Sequence, residues 1–173
     1  MISQKIEQAL NNQIKLEEES SRIYLAMASW CEANGYPGAA RFLFAHSDEE
    51  RMHELKFVNY INDRSGYAKL QALDMPKHDF DSFEDLFEQI LKHERYVSSQ
   101  INELFGLTLE EKDYTTGQFL QWFIMEQIEE ESLFRGILDK IELTGGEKGG
   151  IFHIDKELGA MAAATAAPAP KTT

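Results

Sequence analysis

Cysteine is nearly absent: Cys31 is the only one in 173 residues. A lone thiol cannot close an internal disulfide, which excludes a cross-linked scaffold and agrees with a reducing compartment. Basic charge is also scarce. Seventeen Lys and Arg stand against thirty Asp and Glu, a net charge of −13. A surface of that sign repels a phosphate backbone, so nucleic acid is excluded as a partner, while cations are attracted. No apolar run approaches the roughly 20 residues that a membrane-spanning helix needs, so no membrane association is expected. The chain opens Met-Ile-Ser-Gln-Lys-Ile-Glu, an amphipathic helical start without a secretory apolar region. That predicts a cytoplasmic protein.

What the chain does have is one pattern four times over. Apolar residues recur at alternating spacings of three and four, and the middle of each stripe turns polar. The first stripe is Leu10, Ile14, Glu17, Ser21, Tyr24, Ala28, Cys31. The second is Ala39, Leu43, His46, Glu50, His53, Phe57, Tyr60. The third is Phe83, Phe87, Ile90, Glu94, Val97, Ile101, Leu104, and the fourth is Leu120, Phe123, Gln127, Glu130, Phe134, Ile137, Ile141. This spacing is the buried seam of a helix in a bundle. The fold class is therefore all-α, a four-helix bundle.

The breaks between stripes set the topology. The first helix is expected from about Ser3, an N-cap residue, to about Ala33. Asn34-Gly35-Tyr36-Pro37 is a short break, and Pro37 suits the first turn of a second helix reaching about Ser65. A third helix is expected from about Ser82 to about Gly106, and a fourth from about Asp113 to Gly145-Gly146. Short breaks make each pair antiparallel. The segment 66–81 has no helical period. At about 3.3 Å per residue it can span roughly 50 Å, enough to run the length of the bundle. That predicts one long crossover, with the second and third helices parallel. Ile151–Leu158 reads as a short fifth helix. One domain is expected over 1–161, followed by an Ala-, Pro- and Thr-rich disordered tail over 162–173.

Four carboxylates at one level of a dry bundle need compensation, since an unpaired buried charge costs several kcal/mol or more. Glu17, Glu50, Glu94 and Glu130 sum to minus four. Two divalent cations neutralise them. His53 follows Glu50 by three residues, so both leave one helix face and can reach one ion. A hydrogen-bonded network without metal has too few donors in this set. Tyr24, seven residues after Glu17, is read as a hydrogen-bond donor to a ligand. His46 is read equally as such a donor or as a satisfied core histidine. His93 is expected to point to solvent or a subunit contact, Trp122 to sit in the core, and Glu18 to be plain surface.

The residues carry a resemblance. EEESSRIY (17–24), HSDEERMHEL (46–55), KHERYVSSQINEL (92–104), FLQWFIMEQIEEESLF (119–134) and IDKEL (154–158) together resemble the bacterial non-haem ferritins along nearly the whole chain. The resemblance implies iron storage with ferroxidase activity in a homo-oligomeric shell of twenty-four subunits, with O₂ or peroxide as oxidant. It implies one iron held by Glu17, Glu50 and His53, and a second by Glu50, Glu94 and Glu130, with Gln127 beside it as an amide or weak ligand. It implies a third iron position at Glu49, Glu126, Glu129 and Glu130. On the seam alone, Glu49, Glu126 and Glu129 read as a solvated face.

Two departures sharpen the reading. The second half of the chain offers Gln127-x-x-Glu130 where many di-iron bundles carry a second Glu-x-x-His. That predicts an all-oxygen, weaker second position. Arg51, not Met, directly follows Glu50, so no haem is expected. The ligand types alone admit Mn(II), Co(II) or Zn(II) as well as iron. The competing classes are a di-iron oxidase or peroxide-reducing bundle without storage, a DNA-protecting miniferritin and a scaffold bundle. Each leaves a feature unexplained: the missing histidine, the lack of a basic tail, or the acidic layer.

Overall fold

Helix ends in this chain are built from side chains that satisfy free backbone amides. Ser3, Ser82 and Asp113 each accept a hydrogen bond from the amide three residues on, at 3.3, 3.0 and 3.1 Å. Pro37 opens its helix at the position where a missing N–H costs nothing. The computed structural model describes residues 2–166. The resulting elements are α1 (Gln4–Ala33), α2 (Pro37–Asp63), α3 (Phe83–Glu110), α4 (Tyr114–Leu143) and α5 (Lys148–Ala166).

Three helices end alike. After α1, α2 and α3, one residue turns into the left-handed region and the next amide reaches back to a carbonyl five residues earlier. The turning residues are Gly35 (φ 84°), Ser65 (φ 61°) and Lys112 (φ 57°). The returning bonds are Tyr36 to Cys31, Gly66 to Ile61 and Asp113 to Thr108, at 2.9, 2.9 and 2.8 Å. Only the first uses glycine. This is why α3 runs past the expected stop at Gly106: that glycine is an ordinary helical residue, and Lys112 makes the turn.

Cross-helix contacts fix the directions. Lys5 near the start of α1 pairs with Glu110 at the end of α3, so these helices are antiparallel. Arg64 after α2 pairs with Asp113 before α4 at 3.2 Å. With the short α1–α2 turn, α2 and α3 run parallel, as the crossover requires. The crossover follows α1 from one end to the other. Asn11 takes the amide of Lys69 at 2.5 Å and donates to the carbonyl of Tyr67 at 3.2 Å. Farther along, Phe80 is buried edge-on to Trp30, ring centres 5.7 Å apart.

Two apolar cores fill the bundle, one at each end. One gathers Tyr24, Ala28, Leu43, Phe87, Phe134 and Ile141, among others. The other gathers Ile6, Leu10, Ile14, Phe57, Ile101 and Phe123. The polar middles of the four stripes form the layer between them.

Helix α5 is longer than expected. It begins at Lys148 rather than Ile151 and continues through 162–166, the first residues of the expected tail. Residues 167–173, the rest of that tail, lie outside the described residues. Asp155 explains the docking. It is buried, and its carboxylate accepts the amide of Ala39 at 2.8 Å, capping α2 from another helix. Gly38 lets α5 come this close: a Cβ there would lie 1.8 Å from the backbone oxygen of Asp155. Gly38→Ala is therefore expected to lower the thermal midpoint, since displacing backbone costs about 1–3 kcal/mol or more and outweighs the gain in helix propensity. Gly106→Ala has nothing within 4 Å to meet and is expected to raise the midpoint slightly, by up to about 1 kcal/mol. Equal midpoints for the two variants in thermal denaturation would contradict this account of α5.

Candidate metal centre

The layer between the cores is drier than its chemistry suggests. Glu94 is 0%, Glu17 1%, His53 3%, Glu50 5%, Gln127 6% and Glu130 7% exposed. They come from all four long helices, at the polar positions of the four stripes. Ile14, Phe57, Ile90, Val97, Phe123 and Phe134, one turn away on the same stripes, are drawn into the two cores and carry the layer with them, and Glu50 is set between His46 and His53.

The ligating atoms of Glu17, Glu50 and His53 lie within 4.8 Å of one another. His53 Nδ1 is 3.4 Å from Glu50 Oε2. Two further sets meet the same distance. One is His46, Glu49 and Glu130; the other is Glu49, His53 and Glu126. The three sets share members, since His53 belongs to two and Glu49 to two. Glu94 belongs to none of them, and both its oxygens accept hydrogen bonds. Tyr24 donates its hydroxyl to Oε1 at 2.5 Å, and Gln127 donates Nε2 to Oε2 at 3.0 Å. Tyr24 is thus a donor to a candidate ligand, as its seam position suggested, and Gln127 is an amide donor.

Other residues fall differently from the sequence expectation. His46 is buried; its Nδ1 lies 3.0 Å from the carbonyl of Phe42, while its Nε2 faces Glu130 at 3.7 Å. It stands as a candidate ligand, a role not assigned from sequence although His46-x-x-Glu49 has ligand spacing. His93 is half-buried rather than open to solvent. Its Nε2 is 2.7 Å from Ser20 Oγ, and burial pushes its pKa down to about 4. Trp122 is not core: it is 42% exposed and sits edge-on to His53. Glu129 is exposed and joins none of the three sets. Gln13, unassigned from sequence, donates to Glu17 at 2.7 Å from one turn earlier on α1. Glu18 is not plain surface, because its Oε2 is buried without a donor. Its charge and burial raise Glu54, which is itself buried.

Electrostatics decide what the layer does chemically. Burial, and then the neighbouring Glu50, hold Glu17 well above the usual carboxylate range. Burial and the charge of Glu94 do the same to Glu50. Burial raises Glu94 as well, opposed by the donors Tyr24 and Gln127. Glu130 is pushed up to about 9 by burial and by Glu94, and its Oε2 is buried with no hydrogen-bond donor. An orphaned carboxylate oxygen beside others that resist ionisation fits a cation: a bound ion supplies the charge that protons would otherwise supply. Imidazole with several carboxylates suits a first-row divalent metal.

Glu17, Glu50 and Glu130 hold protons more tightly folded than unfolded. Their contribution to the stability of chelator-stripped protein is therefore full below the ordinary value of 4.5 and is lost as pH rises through the folded value, about 9 for Glu130. The denaturation midpoint of stripped protein is expected to fall as pH rises from about 5 to about 9, by on the order of a few kcal/mol in stability. Glu130→Gln, neutral throughout, is expected to flatten the upper part of that fall. A midpoint that rises across this range in pH-stepped denaturation would contradict the assignment.

The geometry has counterparts. The sequence profile of the Ferritin family, a ferritin-like domain, matches residues 7–144. A probable bacterial non-heme ferritin-like protein of Haemophilus influenzae is 43% identical over 92% of this chain and 96% of its own length. A bacterial non-heme ferritin of Campylobacter jejuni is 42% identical over 90% of this chain and 93% of its own. An open-pore ferritin of the archaeon Archaeoglobus fulgidus superposes with a TM-score of 0.90 at 38% identity, covering 92% of this chain and 98% of that one. The matched span runs from the first turn of α1 to the end of α4 and takes in every residue of the acidic layer, and on that ground the chain belongs to the ferritin family.

Proposed function

We propose that the acidic layer is a di-iron ferroxidase centre contained in one subunit. The chain is an iron-storage protein with ferroxidase activity, as its family membership establishes. In the finer reading, Glu17, Glu50 and His53 hold one Fe(II), and Glu50, Glu94 and Glu130 hold the other, with Glu50 between them. The observation that carries it is the orphaned Oε2 of Glu130 in a layer whose carboxylates resist ionisation. Such a layer takes up Fe(II) in exchange for protons. Two Fe(II) then give one electron each to O₂, which with two protons leaves as H₂O₂; with peroxide as oxidant, the two electrons yield water. Hard carboxylate oxygens favour Fe(III) over Fe(II), which draws the oxidation forward.

Glu94 accepts one hydrogen bond on each oxygen, from Tyr24 and from Gln127, so a metal there shares the carboxylate with both donors. The second position is therefore the weaker one, with Glu130 and no histidine to anchor its ion. Glu49 and Glu126, with His53 and His46 at hand, form an outer position for a third ion, and Glu129 and Glu130 extend it. Tyr24, bonded to Glu94, is placed to steady that carboxylate. No haem enters the reading, since Arg51 follows Glu50. The assembly is a homo-oligomer, and we take twenty-four copies as its size and the cytoplasm as its place. No helix among the described residues is long and apolar enough to cross a membrane.

The test loads Fe(II) without air, admits O₂ and follows ferric absorbance. Glu50→Ala is expected to slow oxidation by roughly 10²-fold, since it removes the shared ligand. Oxidation as fast as in the parent would remove the bridge assignment. Particle mass is measured on the same samples; a monomer or dimer as the sole species contradicts storage in a shell.

A further inference from the structure

Among the described residues, Lys56 is the one Lys or Arg lining a cavity of about 290 Å³ whose walls include His46, Glu49, His53 and Trp122. It lies on α2, three residues beyond His53 and seven beyond Glu49, so all three share a helix face. Its charge acts on Glu126 and Glu49 before any other acid. Yet its ammonium is held by an aromatic ring and not by a carboxylate: Nζ stands over Trp122, 2.8 Å from the ring centre. Trp122 itself precedes Glu126 by one turn of α4. A cation is thus fixed beside Glu49, His53 and Glu126, a set whose ligating atoms already lie within 4.8 Å of one another.

We propose that Lys56 is a built-in competitor for the outer metal position, its ammonium standing on the indole of Trp122 and opposing any divalent ion held by Glu49 and Glu126 beside His53. The inference rests on reading that set as a metal position. Two like charges cannot share so small a site without loss of affinity. When an ion enters, the ammonium swings off the ring toward solvent; when the ion leaves, it returns to screen Glu49 and Glu126. An ion is thereby kept weakly held by Glu49 and Glu126 at the outer position, while the single imidazole lone pair of His53 stays with the inner set of Glu17 and Glu50. Trp122 sets where the ammonium waits, which explains a half-exposed indole facing a metal layer.

The test uses Zn(II), which is redox-inert, titrated into chelator-stripped full-length protein by calorimetry. Lys56→Met is expected to tighten the weakest class of Zn(II) per chain by about tenfold and to leave the tighter classes in place. Lys56→Arg keeps the charge and is expected to match the parent. In a Trp30→Phe background, Trp122 is the sole indole. Its emission is expected to shift as the weakest class fills in the parent, and not in Lys56→Met. A weakest class that is unchanged or loosened in Lys56→Met overturns the proposal. Failure of the underlying reading looks different: Glu126→Gln would then lose no Zn(II) class.

Discussion

Everything in this molecule is arranged around the cost of keeping four carboxylates out of water. Had the same side chains been on the surface, hydration would have stabilised them and the helices would carry an ordinary acidic face. Here they lie at one level with an apolar core above and below, so neither water nor lysine reaches the innermost of them. Glu94 illustrates the result. It is fully buried, and its two oxygens are occupied by Tyr24 and Gln127. Glu130 illustrates the opposite, with a buried oxygen that accepts no hydrogen bond among the described residues, His46 Nε2 standing 3.7 Å away. A cation would complete such a layer.

The apolar cores were plain in the sequence because their spacing is the spacing of a helix face. Leu10, Ile14, Phe57, Ile101 and Phe123 pack where their stripes put them. The polar interruptions were equally plain, since a Glu in a seam is an anomaly that periodicity alone exposes. Helix ends were harder. Gly106 looked like a stop and is not, because the turn that ends α3 is stabilised by a returning amide bond and tolerates Lys112 in a left-handed conformation. The length of α5 was hidden for a similar reason. Its support is Asp155 bonded to the start of α2, more than a hundred residues away, and no local pattern announces such a pairing.

Side-chain roles off the seam were read less well, and the reason is geometric. A position beside the seam faces either solvent or a neighbouring helix, depending on how closely that helix approaches. At His93 the small Ser20 lets α1 and α3 come together, so the ring is covered. At Trp122 the neighbouring helix face carries Lys56, whose ammonium covers one face of the indole, and the ring stays half open. His46 shows a third case. It sits on the seam, so burial was foreseeable, but its choice of partners depends on how α2 and α4 face each other. The backbone carbonyl of Phe42 on one side and Glu130 on the other make it more than a space-filling residue.

The asymmetry of the layer follows from these same contacts. On the α1–α2 side, Glu17, Glu50 and His53 already stand within reach of a single ion. On the α3–α4 side, Glu94 is tied to Tyr24 and Gln127, and Glu130 leans toward His46 and Glu49 instead. An ion on the first side meets a formed pocket. An ion at the proposed second position shares Glu94 with the donors Tyr24 and Gln127, and it competes with the outer set for Glu130. Sharing and competition both lower affinity without altering the kind of ligand offered. A centre that is to hold iron long enough to oxidise it, yet release the product, needs such inequality between its two halves, and in the proposed assignment Glu130, standing where a second Glu-x-x-His would put histidine, supplies it.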